Sequence, residues 1–193
     1  MLKSRIFPWL CFWVSVPGLL RGVDSNGNQQ SDVWEMIFQA NSLPPNGDMD
    51  ADGWTNATES TAGTNPFNGA SFPETGIRMD AGEPVITWSG LLGKRYTLMD
   101  GASPSSLVPV GDAIAGTGDE MELTITGAVS PRFFRMKIED TDTDGDGVTD
   151  WEELTLGFDP GTNRTDRYSQ TDSQRVTSGL GGANTLTVSV YDN

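Results

Sequence analysis

Two twelve-residue segments carry the same arrangement of oxygen-bearing side chains. One runs from Asp48 to Glu59 and the other from Asp142 to Glu153. Both match the pattern D-x-[DN]-x-[DN]-G-x₅-E at every specified position. Carboxylates at alternate positions of a curled loop can converge on one point, which suits calcium, a hard cation that takes six to eight oxygen ligands. The two segments therefore predict two calcium loops.

The pattern assigns a role to each loop position. Positions 1, 3 and 5 offer side-chain oxygens, position 7 a backbone carbonyl, position 9 an oxygen that often acts through water, and position 12 a bidentate glutamate. Position 6 turns sharply, which Gly53 and Gly147 allow at little cost. The predicted ligands are Asp48, Asp50, Asp52, Trp54, Asn56 and Glu59 in one loop, and Asp142, Asp144, Asp146, Val148, Asp150 and Glu153 in the other. The alternative interpretation is two solvated acidic turns.

A third, weaker copy lies upstream. Gln29 stands there at position 6 in place of glycine. The oxygen donors of this copy are Asp24, Asn26, Asn28, Asp32 and Glu35. Only three of them are charged, so we expect a lower calcium affinity than in the two strong loops. The alternative is a capped helix start in which Asp32 is simply the N-cap.

The residues that follow the two strong loops are also alike. A short predicted helix is followed by Gly63 and Pro66 in one copy and by Gly157 and Pro160 in the other. Glycine at a helix C-terminus and proline soon after it are typical of a helix end. The copies are 142 − 48 = 94 residues apart. One loop–helix module is therefore used twice, with a different segment between.

The intervening segment has the pattern of short β-strands. Gly-rich and Pro-containing breaks separate runs in which apolar residues alternate with polar ones. The predicted strands are 77–79, 84–88, 94–99, 106–110, 120–126 and 132–139. Their number and spacing favour a small antiparallel sandwich with Trp88 and Tyr96 buried. The alternative for these two rings is a sugar-stacking platform.

The predicted fold class is therefore mainly β with short calcium loop–helix units, a small antiparallel β-sandwich being flanked by EF-hand-like loops. Helices are expected at Ser31–Ala40, with Trp34, Ile37 and Phe38 on one face, and at Thr55–Ala62. The expected divisions are a signal peptide at 1–22, a tandem calcium loop–helix pair at 23–69, the sandwich at 70–140, a third calcium loop–helix unit at 141–160, and a polar linker with the start of a further β domain at 161–193.

The first residues have the pattern of an export signal. Lys3 and Arg5 precede an apolar run, Ile6 to Leu20, that is short for a membrane span. We therefore expect a secreted or cell-surface protein with no membrane span in the mature chain, unless the signal is retained as an anchor.

Composition narrows the function further. The 193 residues include no histidine, and the single cysteine, Cys11, lies in the signal, so imidazole and thiol catalysis are excluded after export. Removal of residues 1–22 would leave nine basic and 27 acidic residues, a net charge of 9 − 27 = −18. Nucleic acid is therefore not an expected partner, because its phosphates require a basic face.

The loops and the residues after them resemble the thrombospondin type 3-like calcium repeats of bacterial surface proteins. The resemblance covers 24–35, 48–66 and 142–160. It implies calcium-dependent stiffening, with other proteins or cell-surface components as partners, and it supplies no reaction. Segment 76–139, with its Ile86-Thr-Trp88 and Arg132-Phe-Phe-Arg135, is similar to a fibronectin type III-like sandwich. The alternating residues 184–191 resemble the opening of a Calx-beta-type domain.

Three classes of function remain. A non-catalytic spacer or adhesion module ordered by calcium is favoured. A dockerin-like docking module is the second, although both strong loops close with glutamate where dockerins usually have aspartate. The third is the N-terminal accessory region of a larger secreted enzyme. A carboxylate pair could hydrolyse a glycoside, but the clustered carboxylates of this chain are already assigned as calcium ligands.

Overall fold

A computed structural model describes residues 22–127, 132–165 and 170–180. They divide into two compact units. One contains Pro73–Leu91 and Arg95–Ile138, and the other contains 22–72, Leu92–Lys94 and the described residues after Ile138. The predicted strand at 184–191, and all of the predicted signal except residue 22, lie outside the described residues.

Within these described ranges, the chain forms seven strands and four helices. The strands are β1 (Thr75–Asp80), β2 (Glu83–Ser89), β3 (Lys94–Gly101), β4 (Val108–Pro109), β5 (Ile114–Ala115), β6 (Glu120–Thr124) and β7 (Phe133–Asp140). The helices are α1 (Asp32–Phe38), α2 (Asn56–Ala62), α3 (Asp150–Leu156) and α4 (Asp172–Leu180). Strands and short helices in these proportions confirm the predicted fold class.

The strands form two sheets. One has the antiparallel order β1-β2-β6, and in the other β3 pairs with β4, β5 and β7. Ile86 of β2 lies opposite Ile77 on one side and Leu123 on the other. The predicted alternation in β7 is confirmed, since Phe134, Met136 and Ile138 are buried. β5 was not predicted, because two residues are too few to show a period.

Trp88 and Tyr96 belong to the core of the strand unit. Each has only 3% of its surface exposed, and their ring centroids are 6.1 Å apart. The predicted burial of both rings is confirmed, and rings so enclosed cannot form a sugar-stacking surface.

The helices of the second unit are short and capped by hydroxyl side chains. α1 lies within its predicted range, and α2 begins one residue after its predicted start at Thr55, which is the N-cap. The predicted apolar face of α1 is wrong at one position, because Ile37 is exposed whereas Val33 and Trp34 are fully buried. A helix of two turns presents only part of its circumference to the core, and here that part begins at Val33.

The core of this unit draws on elements that are far apart in sequence. Val33 from α1, Val148 from the loop before α3, Leu156 from α3, and Val176 from α4 form one buried cluster with Phe158. The first and third loop–helix modules therefore share a core.

Helix α4 lies in the segment predicted as a polar linker from residue 161 onward, and it corrects that prediction. Its nine residues are mostly polar, and among those whose burial the structure describes, Val176 is the one fully buried apolar side chain. Such a sequence gives no apolar period from which a helix could be predicted.

Among the described residues, no helix combines the length and the apolar character needed to cross a membrane.

Candidate metal centre

The three acidic loops are numbered here in chain order: the first is 24–35, the second 48–59 and the third 142–153. Each curls around the aspartate at its position 1. Asp48 accepts hydrogen bonds from the N–H groups of Asp52 and Gly53, at 3.2 and 2.9 Å. Asp142 accepts from those of Gly145 and Gly147, at 2.8 and 3.0 Å. In the first loop, the carboxylate of Asp24 is bonded in the same way by the N–H groups of Gly27, Asn28 and Gln29. The loop shape is thus fixed by bonds between its own residues.

The residue at position 6 has a left-handed backbone in every loop. The φ angle is 98° at Gly53, 93° at Gly147 and 75° at Gln29. Glycine adopts such angles freely, whereas a residue with a Cβ is strained by about 1–2 kcal/mol. Gln29 therefore keeps the required turn at a cost that the two strong loops avoid.

Three aspartates converge in each strong loop. One carboxylate oxygen from each of Asp48, Asp50 and Asp52 lies within 4.8 Å of the other two, and the same holds for Asp142, Asp144 and Asp146. This separation is about twice the calcium–oxygen bond length of roughly 2.4 Å, so one ion can reach all three oxygens.

The closing glutamates face these triads from the following helices. Glu59 and Glu153 are fully buried. Within the described part of the chain, Oε2 of Glu59 and both carboxylate oxygens of Glu153 have no hydrogen-bond partner. Oδ2 of Asp144 is likewise buried without one. Buried carboxylate oxygens normally have partners, so this donor set fits a bound cation.

In the two strong loops, buried carboxylates lie close to one another and repel. Burial, together with the negative charges of Asp50 and Asp52, raises the pKa of Glu59 to about 8. Burial likewise raises the pKa of Glu153 to about 8, with contributions from Asp144 and Asp146. A divalent cation between these groups would remove the repulsion and favour their charged forms.

The residues at position 9 make hydrogen bonds within the protein, and Oδ1 of Asn56 is buried with no hydrogen-bond partner among the described residues. Asp150 accepts hydrogen bonds from the N–H of Thr143 at 2.7 Å and from the hydroxyls of Thr141 and Thr143 at 2.6 and 2.7 Å. Asn56 donates to the carbonyl of Pro44 at 2.8 Å. These side chains tie the start of each loop to its helix.

The position-7 residues lie next to the turn. The N–H of Trp54 donates to Asp52 and that of Val148 to Asp146, both at 2.8 Å. These bonds hold the position-5 carboxylates at the centre of each loop.

The first loop has the same curl with different chemistry. The side-chain amides of Asn26 and Asn28 donate to the carboxylate of Glu35, at 3.2 and 2.6 Å. Burial still raises the pKa of Glu35, but these two hydrogen bonds oppose the rise. The closing glutamate is therefore satisfied by the loop's own side chains.

The N-cap of α1 is Ser31, whose hydroxyl accepts from the N–H of Trp34 at 3.2 Å. The alternative prediction, with Asp32 as the cap, is wrong. Asp32 is the first helical residue, and its carboxylate accepts the N–H of Ser25 at 2.8 Å.

Glu152 has a structural role that we did not predict. It is fully buried, and it completes a capping box with Thr149 at the start of α3. The same carboxylate accepts hydrogen bonds from the hydroxyl of Ser31 and the N–H of Val23. It therefore joins the third module to the first. The signal was present, because Thr149-x-x-Glu152 is the capping-box pattern.

Comparison with known protein families agrees with this geometry. Residues 48–69 and 142–160 match the bacterial TSP3 repeat, a calcium-binding structural module. No curated protein and no solved structure shows significant similarity to the chain. The resemblance of the strand unit to fibronectin type III stays a prediction. The two segments that match the bacterial TSP3 repeat each begin with an aspartate triad.

Proposed function

We propose that the chain is an exported, non-catalytic structural module whose two TSP3 loops each hold a calcium ion. The observation that carries this proposal is the pair of fully buried glutamates, Glu59 and Glu153. At least one carboxylate oxygen of each glutamate has no hydrogen-bond partner in the described structure. Each glutamate also follows three converging aspartates in its loop. Buried unpaired charge is strongly destabilising, whereas the same groups are favourable around a cation.

The ligands in each loop are the side chains at positions 1, 3, 5 and 12. The calcium ion supplies positive charge at the centre of the loop and links the aspartates to the helix that bears the glutamate. Asp150 and Asn56 act as braces for the loop, since their bonds to Thr143 and Pro44 set the spacing between loop and helix.

Calcium at the third loop would also stabilise the first module. Glu152 and Glu153 are neighbours on α3, and Glu152 bonds Ser31 at the start of α1. Val33 and Val148 share the buried cluster. An ion that fixes α3 therefore fixes one wall of a core that is small for its length of chain.

The cellular role is that of a spacer or adhesion element with protein or cell-surface partners. Its support is the predicted export signal, the acidic mature chain and the millimolar calcium outside cells. That concentration would fill sites with dissociation constants of about 10⁻⁴–10⁻³ M, the range of extracellular modules.

Differential scanning calorimetry tests the calcium dependence. In 5 mM CaCl₂ each site with a dissociation constant near 10⁻⁴ M should add about 2 kcal/mol to the free energy of unfolding, relative to EDTA. The double variant Glu59→Gln/Glu153→Gln should lose most of this gain. Glu74→Gln/Glu120→Gln, which alters two exposed glutamates of the strand unit, is the charge-matched control and should keep it. Equal melting curves for the wild type in calcium and in EDTA would refute the proposal.

A further inference from the structure

Helix α4 repeats the local structure of the calcium modules. The N–H of Asp172 donates to the carbonyl of Asn163 at 3.0 Å, as that of Asp150 donates to the carbonyl of Thr141 at 2.8 Å. The N–H of Thr165 donates to the carboxylate of Asp172 at 2.8 Å. This matches the bond from Thr143 to Asp150. Asp172 is therefore the position-9 residue of a fourth, divergent module.

This fourth module has a cation where the others have their closing glutamate. Arg175 follows Asp172 by three residues, as Glu153 follows Asp150. The guanidinium of Arg175 lies 4.6 Å from the centroid of the Phe158 ring. An arginine at the closing position opposes a bound cation, so an ion in its own loop does not explain the carboxylate of Asp172.

Among the described residues, only one of the two carboxylate oxygens of Asp172 accepts hydrogen bonds. The side chain is fully buried, and its Oδ2 accepts hydrogen bonds from the N–H and the hydroxyl of Thr165. Oδ1 has no hydrogen-bond partner among the residues that the structure describes. Oδ1 forms an ion pair with Nη1 of Arg175, but at 3.7 Å this contact is too long for a hydrogen bond. Asp150 differs, because both of its oxygens accept hydrogen bonds.

The start of α4 lies against the third loop. The N–H of Ser173 donates to Oδ2 of Asp146 at 3.0 Å. Val176, one turn further along α4, packs in the same buried cluster as Val148 of that loop. Asp172, which directly precedes Ser173, therefore lies beside the third triad.

We propose that Asp172 contributes a further carboxylate oxygen to the calcium site of the third loop, which makes α4 part of that site. This inference rests on the proposed function. It adds a ligand from outside the matched repeat, and it gives the third loop one more negative charge than the second. Calcium binding at the third loop and docking of α4 are then linked, so each should stabilise the other.

The test uses the full chain in a Glu35→Gln/Glu59→Gln background, in which the third loop is the reporter. Asp172→Asn keeps the size of the side chain and an acceptor for Thr165. It should weaken calcium binding about tenfold in titration calorimetry, as loss of a supporting carboxylate typically does. With terbium as the probe, luminescence lifetimes in H₂O and D₂O should show about one more bound water, because a vacated coordination position is filled by solvent.

Two controls separate a ligand from a merely structural residue. Asp119→Asn removes an exposed charge in the strand unit and should change neither the affinity nor the water count. Val176→Ala weakens the packing of α4. At saturating terbium, which holds α4 in place through Asp172, it should lower the melting temperature while the water count stays the same. The inference is overturned if Asp172→Asn leaves both the affinity and the water count unchanged, or if it lowers the affinity without adding a bound water, as the loss of a merely structural residue would. Failure of the wild type to bind calcium at any loop would instead overturn the proposed function.

Discussion

The first and third loops share a backbone arrangement but differ in the charge of their side chains. In both loops, the aspartate at position 1 accepts hydrogen bonds from backbone N–H groups of the loop, and the residue at position 6 has a left-handed backbone. In the first loop two asparagine amides satisfy Glu35, whereas both oxygens of Glu153 lack hydrogen-bond partners in the described structure. The curl of such a loop is thus encoded by its own hydrogen bonds. Its need for a cation is set by the charges at positions 3 and 5.

The largest effect that this contrast predicts comes from the closing glutamates. Glu153→Gln should weaken calcium binding at the third loop about 100-fold, because a bidentate charged ligand is lost. Glu35→Gln should leave the tightest binding steps unchanged. Titration calorimetry on the full chain distinguishes the two. In EDTA the melting temperature of Glu153→Gln should rise above that of the wild type, since the variant removes a buried unpaired carboxylate. Equal losses of affinity in the two variants would contradict the contrast.

Adding charge to the first loop should turn it into a stronger calcium site. Asn26→Asp/Asn28→Asp restores the charges found at Asp144 and Asp146, so we expect calcium affinity at the first loop to rise at least tenfold. The variant should also be less stable in EDTA, because Glu35 loses both amide donors and gains two repelling charges. Asn68→Asp, an exposed turn position that keeps its acceptor, is the matched control. A double variant with unchanged calcium binding would show that position 6 limits this loop instead.

The calcium affinity of the two strong loops should depend on pH. Because the pKa values of Glu59 and Glu153 are raised to about 8, calcium must displace protons below that pH. Affinity at the strong loops should therefore rise roughly tenfold between pH 6.5 and 8. Titrations in buffers of different ionisation enthalpy should show proton release. Binding without proton release at pH 6.5 would contradict the raised pKa values.

The calcium-free protein should respond to pH in the opposite sense. These glutamates hold protons in the folded state that they lose near pH 4.5 when unfolded. The stability that these two groups contribute is therefore fully present below about pH 4.5 and is lost as the pH rises towards 8. Urea unfolding in EDTA across this range measures the trend.

The smallest effect concerns the turn at position 6. Gln29→Gly should stabilise the protein by about 1 kcal/mol with or without calcium, because it relieves a left-handed backbone angle. Gln29→Ala keeps the Cβ and should give no such gain. Urea denaturation of both variants checks the prediction. A gain seen only in calcium would place Gln29 in the metal site instead of the turn.

The sequence predicted the strong loops well because their donors lie within twelve residues. Local spacing then suffices, and the structure does bring the aspartates of each triad together. Glu152 was also readable from its capping-box pattern. Asp172 was not, because it lies on α4, a mostly polar helix that packs through Val176 and shows no apolar period.

Longer-range features of the fold were predicted less completely. The strands came from alternation, but their pairing, with β2 between β1 and β6, depends on contacts that no local pattern records. The shared core of the first and third modules is of the same kind, since Val33 and Val148 meet across more than a hundred residues.

The most direct test is titration calorimetry of the EDTA-stripped chain with CaCl₂, which measures whether the two aspartate triads bind calcium. We expect two calcium ions to bind with dissociation constants of about 10⁻⁴ M or tighter, and any binding at the first loop to be weaker. The variant Asp50→Asn/Asp144→Asn should lose both of the tight sites. A titration of the wild type without heat of binding at millimolar calcium would contradict the assignment of these loops as calcium sites.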